Sequence, residues 1–183
     1  MNKEKAEFLL DRFEPMFNSF LSKNADARMH ISVGDGWYFI LYDMLTELDS
    51  LITKSYLTRN ARIKIDFVQI KEKFGSLRAY YNATILFESK ISKFFSKLNR
   101  YIATKLCKWG FSKQYWTIDR FRQKYLYQTD YERIKDIVAE AEHKSVTTCE
   151  VCGQPGKRSQ PRNTHWIATL CPKHYNECQI TEI

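Results

Sequence analysis

Two pairs of metal-ligand residues near the end of the chain constrain the fold more than any other feature. Cys149 and Cys152 form one pair, and Cys171 and His174 form the second after eighteen intervening residues. A two-residue gap lets both members of a pair reach one tetrahedral ion, and two pairs complete a closed Cys₃His shell. Thiolates combined with one imidazole favour Zn²⁺ over harder ions. The spacing therefore predicts a structural zinc ion in the C-terminal tail.

A redox dithiol is the alternative interpretation of Cys149 and Cys152. Such a pair usually caps a helix that follows a strand. Here a segment rich in Gly, Pro and Arg follows, and the second ligand pair is present. A closed shell leaves no position for water, which favours a structural ion over a catalytic one. Within the metal interpretation, His165 and Cys178 are alternative ligands that could replace His174.

Charge is the second informative feature. The chain carries a net charge of +8, and residues 89–137 account for all of it, with 12 Lys and Arg against 4 Asp and Glu. The same segment contains 11 of the 27 aromatic residues. Basic side chains interleaved with aromatic rings suit a phosphate backbone and stacked bases. We predict that nucleic acid or a nucleoprotein binds here through Lys90, Lys93, Lys97, Arg100, Lys108, Arg120, Arg122 and Lys124.

Two other interpretations of this basic segment remain open. A localised positive face can also meet an acidic protein surface, as expected for an inhibitor that masks a host enzyme. Exposed lysines can also serve solubility alone, with the aromatic residues at core spacing.

Hydrophobic periodicity predicts several helices. Asp35, in the sequence GDGW, precedes a Leu-rich pattern and is the predicted N-cap of that helix. Thr129 and Glu132 fit a capping box that would start the last helix. The predicted helices are 3–22 interrupted at Pro15, 36–53, 90–109, 113–127 and 129–143.

Residues 62–82 change to a period of two, which is typical of half-buried strands. The alternation slips at Phe67 and Val68, which predicts a bulge or a strand buried on both faces. The sequence KEKFG follows, and Gly75 can adopt the positive φ of a tight turn. The pattern therefore predicts a β-hairpin, with a third strand or a helix start at 85–87.

These elements predict an α+β fold with helices packed on a small antiparallel hairpin or sheet. The chain is 44% hydrophobic, enough to bury a core. We assign 1–88 to the α+β core and 89–130 to a basic aromatic helical insertion. Residues 131–183 form a helix plus a C-terminal zinc-knuckle or ribbon-like module of the same domain.

Catalysis is not expected. The sequence has no Gly-rich phosphate loop, nucleophile elbow or HExxH motif, and its four histidines are scattered. A metal-dependent nuclease is therefore a weaker alternative to a binding protein. The charged N-terminus lacks a signal-peptide core, and no apolar run is long enough to cross a membrane. We expect a cytoplasmic protein of unknown oligomeric state.

Several motifs resemble a family of small proteins of uncharacterised activity encoded by bacteriophages and prophages. They are GDGW before a Leu-rich helix, VQIKEKFGSLRAYY, CEVCGQPG and TLCPKH, with Trp166 between the cysteine pairs. The likeness covers 34–53, 67–82 and 139–174. It implies an accessory protein acting in the host bacterial cytoplasm. The basic segment is longer than in typical members, which implies an elaboration on a compact zinc-bound scaffold.

Overall fold

A computed structural model describes residues 1–18, 31–59, 61–87, 115–161 and 166–180. It confirms the predicted α+β class. In chain order the elements are helix α1 (Lys3–Arg12), a 3₁₀ turn (Glu14–Met16), strand β1 (Ile31–Ser32), a second 3₁₀ turn (Asp35–Trp37), α2 (Tyr38–Arg59), β2 (Ala61–Lys73), β3 (Ser76–Phe87), α3 (Tyr115–Ser145), β4 (Lys157–Ser159), β5 (Ala168–Leu170) and α4 (Pro172–Ile180).

The main sheet has the strand order β1-β2-β3. Strands β2 and β3 form the predicted antiparallel hairpin, and the register shifts between Phe67 and Gln69, where the sequence predicted a bulge. The extra residue changes the parity of the buried positions, from Ile65 and Phe67 before the bulge to Ile70 after it. One face of β2 therefore stays apolar from Ile63 through Ile70.

The core lies between that apolar face and two helices. Helix α2 packs against β2, α3 packs against β3, and the two helices contact each other. Buried side chains repeat at helical spacing along α2 and along the C-terminal half of α3. They include Trp37, Leu41, Leu45 and Leu48 from the α2 region and Ile134, Val138 and Ala141 from α3.

The third strand of the main sheet is not the one that the sequence pattern indicated. Residues 85–87 continue β3 without a break. The additional strand is β1, where Ile31 and Ser32 pair in parallel with Ile70 and Lys71 of β2. Two residues are too few to show a periodic pattern, so the sequence did not indicate this strand.

Helix α3 replaces two predicted helices. It runs for 31 residues from Tyr115 to Ser145 and passes through Thr129 without a new start, so the predicted capping box is wrong. Asp130, in the middle of that motif, is fully buried against the core. The helix also spans the boundary predicted at residue 130. The predicted helix 90–109 lies outside the described residues.

The N-terminal helix ends before Pro15, as the interrupted pattern predicted, and Glu14–Met16 form a 3₁₀ turn. The proposed N-cap role of Asp35 is wrong. Its carboxylate accepts hydrogen bonds from the Asn2 backbone N–H at 2.5 Å and from the Lys5 ammonium at 3.2 Å, so it binds the start of α1. Within the described ranges, no helix combines the length and apolarity that crossing a membrane requires.

Candidate metal centre

The first ligand pair lies on a tight turn that follows α3. The backbone N–H of Gly153 donates to the Cys149 carbonyl at 2.9 Å, and the Cys149 N–H donates to the Gln154 carbonyl at 2.7 Å. Gly153 has a φ of 76°, a conformation that L side chains rarely adopt. This turn directs both thiol groups of the pair towards the same point.

The second ligand pair lies where a small sheet meets a helix. Strands β4 and β5 pair in antiparallel fashion, Cys171 directly follows β5, and His174 lies in the first turn of α4. Pro172 at the first helical position suits the helix start, since no intrahelical partner exists there for its missing N–H. The Glu150 N–H donates to the Thr169 carbonyl at 2.9 Å, which holds the two pairs beside each other.

The four predicted ligand atoms lie close enough together to share one metal ion. The sulfur and Nδ1 atoms of Cys149, Cys152, Cys171 and His174 all lie within 4.8 Å of one another. The Cys152 and Cys171 sulfurs are 3.8 Å apart, and His174 Nδ1 lies 3.4 Å from Cys149 Sγ and 3.2 Å from Cys171 Sγ. With metal–sulfur bonds of about 2.3 Å and metal–nitrogen bonds of about 2.0 Å, tetrahedral edges are about 3.8 and about 3.5 Å. The cluster therefore fits one metal ion.

The surroundings of Cys171 and His174 favour metal binding. The backbone N–H of His174 lowers the pKa of the Cys171 thiol to about 7, which favours the thiolate that a metal needs. His174 directs Nδ1 to the cluster, and its Nε2 lies 3.7 Å from a carboxylate oxygen of Glu177. Such a carboxylate orients the ring of a ligating histidine.

The alternative ligands are placed differently. Cys178 lies exposed on α4, outside the four-residue cluster. His165 lies outside the described residues.

Of the predicted nucleic-acid contacts, Arg120, Arg122 and Lys124 belong to the N-terminal half of α3. The other five, Lys90, Lys93, Lys97, Arg100 and Lys108, lie outside the described residues.

The turn that carries Cys149 and Cys152, called the metal turn below, packs on the GDGW motif, and the sequence did not indicate this contact. Gly36 donates to the Glu150 carbonyl at 2.8 Å, and the Trp37 indole N–H donates to the Thr148 carbonyl at 2.7 Å. A methyl group at Gly36 would lie 2.2 Å from the Cys149 carbonyl oxygen, so only glycine allows this approach. Two glycines flanking Asp35 were the available signal, because closely packed backbones require missing side chains.

The metal module, defined as the turn with Cys149 and Cys152 together with β4, β5 and α4, also holds the tip of the β2–β3 hairpin. The Thr169 hydroxyl donates to the Gly75 carbonyl at 2.5 Å. On the neighbouring strand, the Leu77 N–H donates to the Ser145 hydroxyl at 2.8 Å. The hairpin, α3 and the metal module therefore meet at one point.

A shallow cleft of about 300 Å³ lies beside the metal turn. Its lining includes Glu72, Glu150 and Trp166. Burial and the neighbouring Glu72 raise the pKa of Glu150 to about 7. Two carboxylates therefore line this cleft, together with the N-terminal residue Met1.

The fold and the cluster define an α+β protein with a Cys₃His cluster that could bind a metal ion. No family model, curated protein or solved structure matches the chain. Function must therefore be inferred from the arrangement of its own residues.

Proposed function

We propose that this chain is a non-catalytic, zinc-stabilised protein that binds nucleic acid or a nucleoprotein through its basic segment, residues 89–137. The observation that carries the proposal is the location of the charge: this segment holds the entire net charge of +8. Phosphate groups are the ligands that such a concentrated basic segment attracts most strongly.

Zinc is the proposed ion because of the donor set. Three thiolates and one imidazole match the preference of Zn²⁺ and of structural zinc sites. Four protein ligands complete the tetrahedron and leave no coordination position for a substrate. The proposed role of the ion is therefore to hold the metal module on the core.

The course of α3 supports the binding role of the basic segment. Arg120, Arg122 and Lys124 lie in the same continuous helix as Ile134 and Val138, which are buried in the core. A continuous helix joins the basic positions to the scaffold without a hinge. Contacts made there need not order a separate linker, which lowers the entropic cost of binding.

Titration of labelled single- and double-stranded DNA and RNA at low and moderate salt tests the proposal. Binding should weaken as salt rises, since neutralised phosphates release counterions. Replacing Arg120, Arg122 and Lys124 together by Gln should reduce both the affinity and the salt dependence. A triple Gln variant of Lys3, Arg12 and Lys144, which are exposed outside the segment, is the charge-matched control.

Absence of binding to every probe at low salt would refute the nucleic-acid role. A pull-down from expressing bacteria, with and without nuclease, distinguishes nucleic-acid binding from the other hypothesis, in which the basic segment binds an acidic protein. One dominant protein that stays bound after nuclease treatment would instead favour an inhibitor of a host defence or replication enzyme. The resemblance to phage-encoded proteins supports bacterial cytoplasm as the setting for either experiment.

A further inference from the structure

The solvent-facing side of the β2–β3 hairpin carries a second concentration of positive charge. The register places Lys64 opposite Thr84, and Lys71 opposite Arg78, at positions that alternate with the buried side chains of the hairpin. Across both strands, the charged residues of this face are Arg62, Lys64, Lys71, Lys73 and Arg78 against the single acid Asp66. Arg78 also forms an ion pair with Glu142 at 3.0 Å, so part of its charge is already compensated.

Two exposed aromatic rings accompany these basic side chains. Tyr80 is 43% exposed, and the Lys71 ammonium lies 5.2 Å from its ring centroid. Phe74 at the hairpin tip is 59% exposed, and the Lys73 ammonium lies 5.4 Å from its ring. Each ring is thus presented to solvent together with a positive charge.

The backbone at Phe74 gives an independent indication of function. Phe74 has a φ of 54°, in the left-handed region, and it is the one non-glycine residue with positive φ among those described. This conformation costs an L-residue roughly 1–2 kcal/mol, and two-residue hairpin turns prefer Asn or Gly there. A large apolar side chain that is both exposed and conformationally unfavourable does not serve the stability of the fold.

The positive surface continues beyond the hairpin tip. Arg158 of β4 is exposed, and its Cγ would lie 3.2 Å from a methyl group on Gly75. The metal module therefore brings another guanidinium-bearing side chain to the end of the face that holds Lys73 and Phe74.

We propose that a single-stranded nucleic acid binds across this sheet platform, defined as Lys64, Lys71, Lys73, Phe74, Arg78 and Tyr80. Basic side chains would contact the phosphates, and the two rings would stack on unpaired bases, as on other single-strand platforms. An acidic protein would match the charge but would leave the paired exposed rings without a purpose. The inference rests on the proposed nucleic-acid function and adds the preference for single strands.

Fluorescence anisotropy with labelled oligothymidylate and oligouridylate, and with the duplexes they form with complementary strands, tests the platform. Wild-type protein should prefer the single strands. Replacing Lys71 by Gln and Tyr80 by Ser should weaken single-strand binding about tenfold or more, since base stacking is sensitive to loss of the ring. The double variant Lys3→Gln and Tyr56→Ser makes the same chemical change at exposed positions on α1 and α2 and should bind like wild type.

Two further variants keep the test decisive. Tyr80→Phe preserves the ring and should retain binding, whereas Phe74→Asn should lose several-fold in affinity even though Asn suits the turn better. If duplexes bind as tightly as single strands, or if folded platform variants bind like wild type, the proposed single-strand platform is refuted. The proposed nucleic-acid function would still stand. If wild-type protein binds none of these probes at low salt, both proposals fail together.

Discussion

Asp35 connects the first residues of the chain to the GDGW motif, which contacts the metal turn. Its carboxylate accepts from Asn2 and Lys5, and the adjacent Gly36 donates to Glu150. The N-terminal ammonium of Met1 also donates to the Val33 carbonyl. The start of α1 and the metal turn are therefore joined through a few consecutive residues.

We expect Asp35→Asn to destabilise the protein by roughly 1 kcal/mol at neutral pH, since it weakens hydrogen bonds to a charged, half-exposed group. Burial acts to raise the pKa of Asp35, but the Asn2 N–H and the Lys5 ammonium hold it below the usual 3.8. Ionised Asp35 therefore stabilises the fold above about pH 3.8, and this contribution is lost as pH falls through the lower folded-state value.

Urea unfolding of wild type and Asp35→Asn at neutral and strongly acidic pH measures this effect. The difference between them should shrink in acid. Asp11→Asn, an exposed change on α1, is the matched control and should have little effect at either pH. A destabilisation that persists unchanged in acid would contradict the assigned role of the carboxylate.

At the residue scale, the sequence predicted what depends on short-range spacing, but it did not predict contacts between residues far apart in the chain. The four metal ligands follow from two local pairs, because each two-residue gap has only a few geometries. The role of Asp35 depends on a backbone N–H that is 33 positions away. A carboxylate before a helix fits an N-cap in sequence, and only the folded chain shows which N–H groups reach it.

At the scale of elements, the hairpin tip contains an unfavourable turn residue and a stabilising contact from another part of the chain. Its turn needs positive φ at both central residues, and Gly75 adopts a φ of 69° without a steric penalty, whereas Phe74 adopts a φ of 54° at a conformational cost. The metal module holds the turn through the Thr169 hydroxyl, which stabilises the tip from outside the hairpin. Tertiary contact thus compensates for an unfavourable turn residue.

Phe74→Asn should therefore raise the free energy of unfolding by about 1 kcal/mol, because Asn tolerates the left-handed conformation. Phe74→Ala is the control, since it removes the same ring and keeps the backbone penalty. In thermal and urea unfolding, the Asn variant should be more stable than wild type, and the Ala variant should be as stable as wild type or less stable. Equal stability of the Asn and Ala variants would show that the backbone conformation is not the cause.

The hairpin could be predicted because both its period and its bulge are local properties of the chain. Helix α3 was divided incorrectly for a physical reason. Thr129 and Glu132 have the residue types of a capping box, but the chain stays helical through them and leads into the buried positions Ile134 and Val138. Tertiary packing overrode the local signal, as it commonly does in the interior of long helices.

At the scale of the whole molecule, the metal module lies at the junction of three segments. It contacts the GDGW turn through Gly36 and Trp37, the hairpin tip through Gly75, and the end of α3 through the residues just before Cys149. The sequence predicted both the module and the fold class. It did not show that one docks on the other, because a glycine can mark a close approach of two backbones without indicating which segment approaches it.

This junction predicts that loss of the metal destabilises the whole fold and not the tail alone. Cys152→Ser should release the ion and lower the free energy of unfolding by several kcal/mol, because binding energy at a structural site is folding energy. Unfolding should remain one cooperative transition with a lower midpoint. Cys178→Ser, an exposed change outside the cluster, should leave metal content and stability unchanged. Metal analysis combined with far-UV circular dichroism makes the measurement, and a chelator added to wild type should reproduce the Cys152→Ser result. If metal loss exposes only the tail to proteolysis while the core midpoint is unchanged, the contacts at Gly36 and Gly75 do not couple the two parts.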